Sequence, residues 1–239
     1  MAQQFFVPGE QRAEKVKQLF TIVARRYDLI NDLQSFGLHR YWKRRVIELA
    51  GPKAGDRALD VCCGTGDIAL GLARRGVQTI GLDFNEEMLR VAQLKAQKAE
   101  MGKAIQFVQG DAEAVHFPEN SFDIVTVGYG LRNLRSWKTG LREMQRVAKP
   151  GGRLVVLEFG KPGNPLWRSL YFGYLRSFVP LLGLVFCGNA GAYAYILESL
   201  KNYPAQQGVA AKMRDFGLSD VRIINLLGGV MSINYGVKG

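Results

Sequence analysis

The stretch DVCCGTGDIA, residues 60–69, decides the fold. An aspartate, a short apolar run, the glycines Gly64 and Gly66 and a second aspartate, Asp67, read as a β-strand turning into a helix through a loop that can lie against a nucleotide. The strand is RALDVC, and the helix starts at about Gly66. Beyond it the pattern alternates: strand VQTIGLD, helix NEEMLRVAQLKAQKAE, strand IQFVQGD, strand FDIVTVGYG, helix SWKTGLREMQRVA, the turn KPGG and strand RLVVLEF. Strands rich in Val, Ile and Leu, separated by helical patterns, predict an α/β fold with a mostly parallel sheet and helices on both faces. Such sheets bind ligands at the carboxyl ends of their strands.

Outward from that unit, residues 10–24 place Val16, Leu19, Phe20 and Val23 on one helical face, and HRYWKRRVIELA supplies a second helix before the first strand. Residues 161–204 break the rhythm with Pro162, Pro165, Pro180 and many aromatics. The segment MRDFGLSDVRIINLLGGVMSINYG then predicts a helix end and two antiparallel strands joined as a hairpin at Gly228 and Gly229. The chain reads as one domain, residues 1–239, with N-terminal helices at about 10–50 and an inserted lid segment at about 161–204.

With 239 residues, 47% of them hydrophobic and 22% charged, the chain can bury a substantial core. Its 32 Lys and Arg against 21 Asp and Glu leave a formal charge of +11, which favours nucleic acid or an anionic membrane surface without choosing between them. Three cysteines with no C-x-x-C spacing and two histidines support neither a disulfide framework nor a zinc site. Cys62 and Cys63 read as small packing residues, since no basic neighbour in sequence would lower a thiol pKa. The start, MAQQFFVPGEQRAEKVK, lacks the apolar region of a secretory signal, which predicts a cytoplasmic protein.

Gly64, Gly66 and Ala69 satisfy the G-x-G-x-x-G/A spacing of a dinucleotide loop, and Asp83 closes the second strand about twenty residues on. Asp67 argues for a different ligand. Its carboxylate falls where a pyrophosphate would sit, at a cost on the order of a few kcal/mol at an effective dielectric of 20. S-adenosylmethionine, a cation without phosphate, meets no such penalty. On this reading Asp60 and Asp67 flank a donor loop made of Gly64, Thr65 and Gly66, and Asp83 accepts hydrogen bonds from the ribose hydroxyls. Asp111, beside Ala112 in GDA, receives the adenine amino group, and Phe84, Met88 and Gly128 complete the predicted contacts. The bland alternative is that Asp67 is an N-cap and that Asp83 and Asp111 are turn formers.

Four segments carry a resemblance. YDLINDLQSFGLHRYW, residues 27–42, follows Y-D-x-x-N-x-x-x-S-x-G-x-H-R-x-W at every fixed position; RVAKPGGRLVVLEF, GYGLRN and AYAYILESLKNYP supply three more motifs. From about Glu14 to Tyr235 the chain resembles the ubiquinone and menaquinone biosynthesis C-methyltransferase family, within the class I S-adenosylmethionine methyltransferases. Ala148 and the Cys62-Cys63 pair depart from the family pattern and look like packing variation. The resemblance implies a Rossmann-like class I methyltransferase fold, with a seven-stranded sheet and an antiparallel C-terminal hairpin. It implies S-adenosylmethionine as methyl donor, no metal, and C-methylation of a prenylated quinol, demethylmenaquinol first, with a benzoquinol or a phytyl-naphthoquinol as alternatives.

A phenol ionises near pH 10, so the resemblance also implies a group that stabilises a phenolate or takes its proton. Arg132 is the electrostatic candidate, His39 and Tyr27 are the base and its orienter, and Asn31 is a hydrogen-bonding partner. The segment PLWRSLYFGYLRSFVPLLGLVFCG is too interrupted to span a bilayer. It lies in the membrane interface, lines a prenyl groove, or forms a lid helix pair. The implied partners are a prenylated quinol and the inner face of the membrane, with a homodimer left open. An RNA methyltransferase is the rival reading on charge, yet strand four ends in GYGLRN, not in an N-P-P-Y type clamp, and no nucleic acid partner is expected.

Overall fold

A computed structural model describes residues 10–187 and 191–239. Apolar runs at Arg57–Val61 (β1), Gln78–Asp83 (β2), Ile105–Gln109 (β3), Phe122–Gly128 (β4) and Ala148–Phe159 (β5) form parallel neighbours, and Leu218–Leu226 (β6) and Met231–Lys238 (β7) form the antiparallel hairpin. They make a seven-stranded sheet in the order β3-β2-β1-β4-β5-β7-β6. Leu59 pairs with Ile80 on one side and Val125 on the other, so strand order reverses between β1 and β4, and the crevice beyond their carboxyl ends is where such sheets bind ligands. The KPGG segment is drawn into the long β5, opposite an irregularity in its pairing with β4.

The two-residue period of a strand divides the core between the faces of the sheet. Leu154 and Val156 of β5 join Leu59, Phe122 and Val125 beneath Trp137–Val147 (α6) and Ala205–Asp215 (α9). Val155 and Leu157 join Ala58, Ile124 and Ile233 beneath Leu38–Ala50 (α3) and Asp67–Ala73 (α4). A third cluster covers the carboxyl edge. There Leu19 and Val23 of Glu10–Val23 (α1) and Ile30 of Tyr27–Ser35 (α2) pack with Tyr171, Leu175 and Val179 of Pro165–Cys187 (α7) and with Leu200 of Gly191–Asn202 (α8). The proline-broken segment is thus helical: Pro165 opens α7, where its missing N–H has no intrahelical role, and Pro180 lies within it. Cys187 closes α7, and its side chain is outside the described residues.

Polar clips seat these covering helices. Asn85 caps Glu86–Lys98 (α5), and its amide donates to the Lys17 carbonyl at 3.0 Å and to Thr21 Oγ1 at 2.9 Å, which ties α1 to the end of β2. Asp28 of α2 accepts from Thr65 Oγ1 at 2.7 Å and from Lys95 Nζ of α5 at 2.8 Å. The glycine loop fits beneath them only because of its backbone: at Gly66, with φ +81°, a Cβ would approach Phe107 to 2.9 Å.

Candidate active site

The ends of β1, β2 and β4 open onto a cleft of about 450 Å³ lined by Gly64, Asp83, Phe84, Met88 and Gly128, with Phe20 from α1 and Cys62 closing it. Asp83 is its anionic centre. The Gly64 N–H donates to Oδ2 at 2.8 Å and the Asn85 N–H to Oδ1 at 2.9 Å, and each oxygen keeps a lone pair for a ligand. Burial pushes the Asp83 carboxyl up to about 6 against the pull of those amides. Through Cys62, Asp83 and Phe84 this cleft continues into one of about 640 Å³ that reaches Asp111 and Ala112. Asp111 meets Arg135 at 2.6 Å and accepts the Glu113 N–H at 2.8 Å, so an adenine amino group would share it with a cation.

Three residues predicted to touch the donor line neither cleft. Asp60 is 1% exposed; it accepts from the Ala69 N–H at 3.2 Å and from Thr126 Oγ1 at 2.7 Å, so its two oxygens serve α4 and β4. Burial raises its carboxyl to about 7. Thr65 is engaged with Asp28, and Gly66 is packed against Phe107. Asp67 requires a further correction. It is not a bare carboxylate at the loop: Lys43 holds it at 2.7 Å and Lys95 contacts its other oxygen. Burial alone would raise its pKa, yet the two lysines hold it well below the usual carboxylate range. A diphosphate would meet a neutralised cluster, so Asp67 does not exclude one, and Asp83 would accept from the ribose of either ligand. The thiols of Cys62 and Cys63 are pushed up by burial, as packing residues would be.

Tyr27, Asn31, His39 and Arg132, scattered over more than a hundred positions, line one largely aromatic cavity of about 620 Å³ together with Trp42, Tyr129, Phe159, Tyr171 and Tyr174. Tyr27 and Tyr129 line this cavity and the donor cleft alike, so the two spaces share a wall. His39 Nε2 lies 3.2 Å from Asp32 Oδ1, which leaves Nδ1 as the acceptor, buried and without a partner. Burial, with Lys43 nearby, lowers its pKa to about 4, so the imidazole is neutral and a weak base before a substrate arrives. Burial likewise raises Tyr27 to about 12, which keeps its phenol protonated. Asn31 Nδ2 and the hydroxyls of Tyr129 and Tyr171 are also buried without a protein partner.

Arg132 differs most from its predicted role. Its Nη1 lies 2.7 Å from Glu158 Oε1, both side chains are at most 3% exposed, and the guanidinium stacks on Phe159 at 4.6 Å. Glu158 also accepts the Phe159 N–H at 2.9 Å, and Arg132 Nη1 donates to the Tyr129 carbonyl at 2.7 Å. Its charge is therefore already matched before any phenolate binds. Glu158 carries one signal in the sequence, an acid within the apolar RLVVLEF.

The topology, the glycine loop and the clefts at the carboxyl edge together are those of a class I methyltransferase. The fold recurs in a SAM dependent methyltransferase from Aquifex aeolicus (TM-score 0.63, 18% identity, 89% of this chain and 98% of that one). It recurs again in a possible histamine N-methyltransferase from Thermotoga maritima (TM-score 0.66, 17% identity, 93% and 99%). The chain belongs to the ubiE/COQ5 methyltransferase family, which it matches over residues 9–238. It is 44% identical to the ubiquinone/menaquinone biosynthesis C-methyltransferase UbiE of Ectopseudomonas mendocina over 97% of this chain and 92% of that one, and 43% identical to the UbiE of Pseudomonas fluorescens over the same shares.

The buried pair yields a stability prediction. Arg132→Ala leaves the Glu158 carboxylate buried without its cation and lowers unfolding free energy by roughly 3–5 kcal/mol. Adding Glu158→Gln restores most of that loss in urea unfolding at neutral pH. Additive losses in the double variant would mean that the two side chains do not depend on one another.

Proposed function

We propose that this protein transfers a methyl group from S-adenosylmethionine to a ring carbon of a prenylated quinol, with demethylmenaquinol as the first candidate and a benzoquinol as the second. The observation that carries the proposal is the wall shared by the donor cleft and the aromatic cavity at Tyr27 and Tyr129. A flat, largely apolar ring suits the cavity, and the atoms without partners around it suit the oxygens of a quinol.

The donor cleft fits its ligand on its own chemistry. Asp83 offers an anionic acceptor to a ribose diol, Gly64 lets the backbone come close, and Phe20, Phe84 and Met88 supply apolar contact to an adenosine. S-adenosylmethionine supplies an electrophilic methyl on a sulfonium, and its transfer to carbon leaves a neutral thioether. The remaining work belongs to the protein. His39 Nδ1 takes a proton from the ring hydroxyl, and the imidazolium formed beside a phenolate is stabilised by it, which offsets part of the burial penalty. Tyr27, kept protonated, donates to ring oxygen. The covering helices α1, α2 and α7 exclude water while the ring carbon forms its new bond, after which that carbon gives up its proton, which leaves to solvent with the products, the ring oxygen takes back the proton held on His39 Nδ1, and aromaticity returns. Alignment of two bound reactants contributes about 7–11 kcal/mol in favourable cases, so strong driving force from the base is not required.

The substrate's prenyl chain gives α7 a second task. Tyr171, Leu175 and Val179 close the cavity, while Leu166, Leu170, Leu181 and Leu184 of the same helix are 53–73% exposed. Among the described residues no helix is long and apolar enough to cross a membrane. We infer that this leucine face, flanked by the exposed Arg168 and Arg176, lies against an anionic bilayer and lets the substrate reach the cavity without leaving the lipid.

Expressed in a bacterial host that lacks its own quinone C-methyltransferase, the protein should restore the missing methyl on the naphthoquinone, as read by mass spectrometry of extracted quinones. Restoration on the benzoquinone alone would favour the second candidate, and restoration of neither would contradict quinol methylation. Purified protein should co-sediment with vesicles containing phosphatidylglycerol at low salt, and Leu170→Glu with Leu181→Glu should abolish it. Unaltered co-sedimentation of that variant would remove α7 as the contact.

A further inference from the structure

Tyr129 combines three features that its neighbours share only singly. It lines both the donor cleft and the aromatic cavity. Its backbone has φ +62°, a left-handed conformation that residues with bulky side chains adopt only when their surroundings enforce it. Its hydroxyl is buried without a hydrogen-bond partner, an unfavourable state for a phenol.

The surroundings do enforce the backbone. The Tyr129 N–H donates to the Leu157 carbonyl at 2.9 Å, and the Tyr129 carbonyl accepts from Arg132 Nη1 at 2.7 Å and Asn133 Nδ2 at 3.1 Å. Glu158 anchors Arg132 in turn, and the Phe159 ring lies 5.8 Å from that of Tyr129. The ring is therefore fixed before any ligand arrives, with its hydroxyl left over. Burial also pushes the phenol pKa upward, so the hydroxyl stays protonated and acts as a donor. A protonated hydroxyl with nothing to bond, on a residue that lines both spaces, has its hydrogen bond left for a ligand.

We propose that the Tyr129 hydroxyl donates a hydrogen bond to a ring oxygen of the methyl acceptor, the oxygen next to the carbon that is methylated. The proposal rests on the quinol reading above for the identity of that acceptor. It makes Tyr129 a specificity-determining residue: a site that holds a polar group for a substrate hydroxyl rejects the analogue that lacks it. Arg132 is then a positioning residue, acting on the acceptor through the Tyr129 carbonyl.

The test compares α-naphthol with naphthalene, titrated by fluorescence into the protein saturated with S-adenosylhomocysteine. The wild type should prefer α-naphthol by about tenfold, and Tyr129→Phe should reduce that preference to within about twofold. Tyr203, whose hydroxyl is also buried without a partner but does not line the cavity, supplies the control: Tyr203→Phe should keep the preference. In steady-state assays with a quinol, Tyr129→Phe should lower kcat/KM by a similar factor while the affinity for S-adenosylmethionine is unchanged. A wild-type protein without the preference, or a Tyr129→Phe variant that retains it, would overturn the proposal. If the preference depends on Tyr129 but no quinol is methylated, the quinol reading fails and the hydroxyl's role stands.

Discussion

The buried pair between Arg132 and Glu158 is the constraint on which the site depends. It joins the end of β5 to the turn after β4, at a point where neither charge reaches water. Breaking either partner would leave an uncompensated charge among Phe159, Tyr129 and Tyr171, which is why such pairs act as fixed points. From it follow the left-handed backbone of Tyr129, the placement of its ring against Phe159, and the wall dividing the donor cleft from the aromatic cavity. Arg132 therefore acts through shape more than through a free charge.

On the other side of the glycine loop a second set of charges holds the covering helices in place. Asp28, Asp67, Lys43 and Lys95 bind α2 and α3 to α4 and α5 and neutralise one another while doing so. The donor cleft is left with Asp83 as its buried anion, poised by burial at about 6 and already oriented by two backbone amides. Two clusters so placed separate support from binding: one closes the lid elements, the other faces the ligand.

Much of the fold was legible because it is periodic. The Val- and Leu-rich strands, the glycine pair and the hairpin at Gly228 and Gly229 were readable from local pattern, and so was the amphipathic face of α1, with Phe20 closing the donor cleft. Asp83 was readable from its distance to the glycines, and Tyr27, Asn31, His39 and Arg132 from motifs that the chain brings into one cavity. What was not legible depended on partners distant in sequence. Asp67 looked like a bare carboxylate because Lys43 and Lys95 stand 24 and 28 positions away. Asp60 gave no sign of its partners Thr126 and Ala69. The prolines of α7 left a helical lid as one of three readings of that segment, and the backbone conformation of Tyr129 leaves no mark in composition or spacing.

The central claim is that a methyl donor lies over the ends of β1, β2 and β4, with its ribose on Asp83 and its sulfur against the wall formed by Tyr27 and Tyr129. A crystal structure of the protein with S-adenosylhomocysteine tests it most directly. The account predicts both ribose hydroxyls within hydrogen-bond distance of the Asp83 carboxylate and the thioether sulfur in contact with the Tyr27 and Tyr129 rings. A ribose bound away from Asp83, or a sulfur that faces solvent instead of the aromatic cavity, would contradict it.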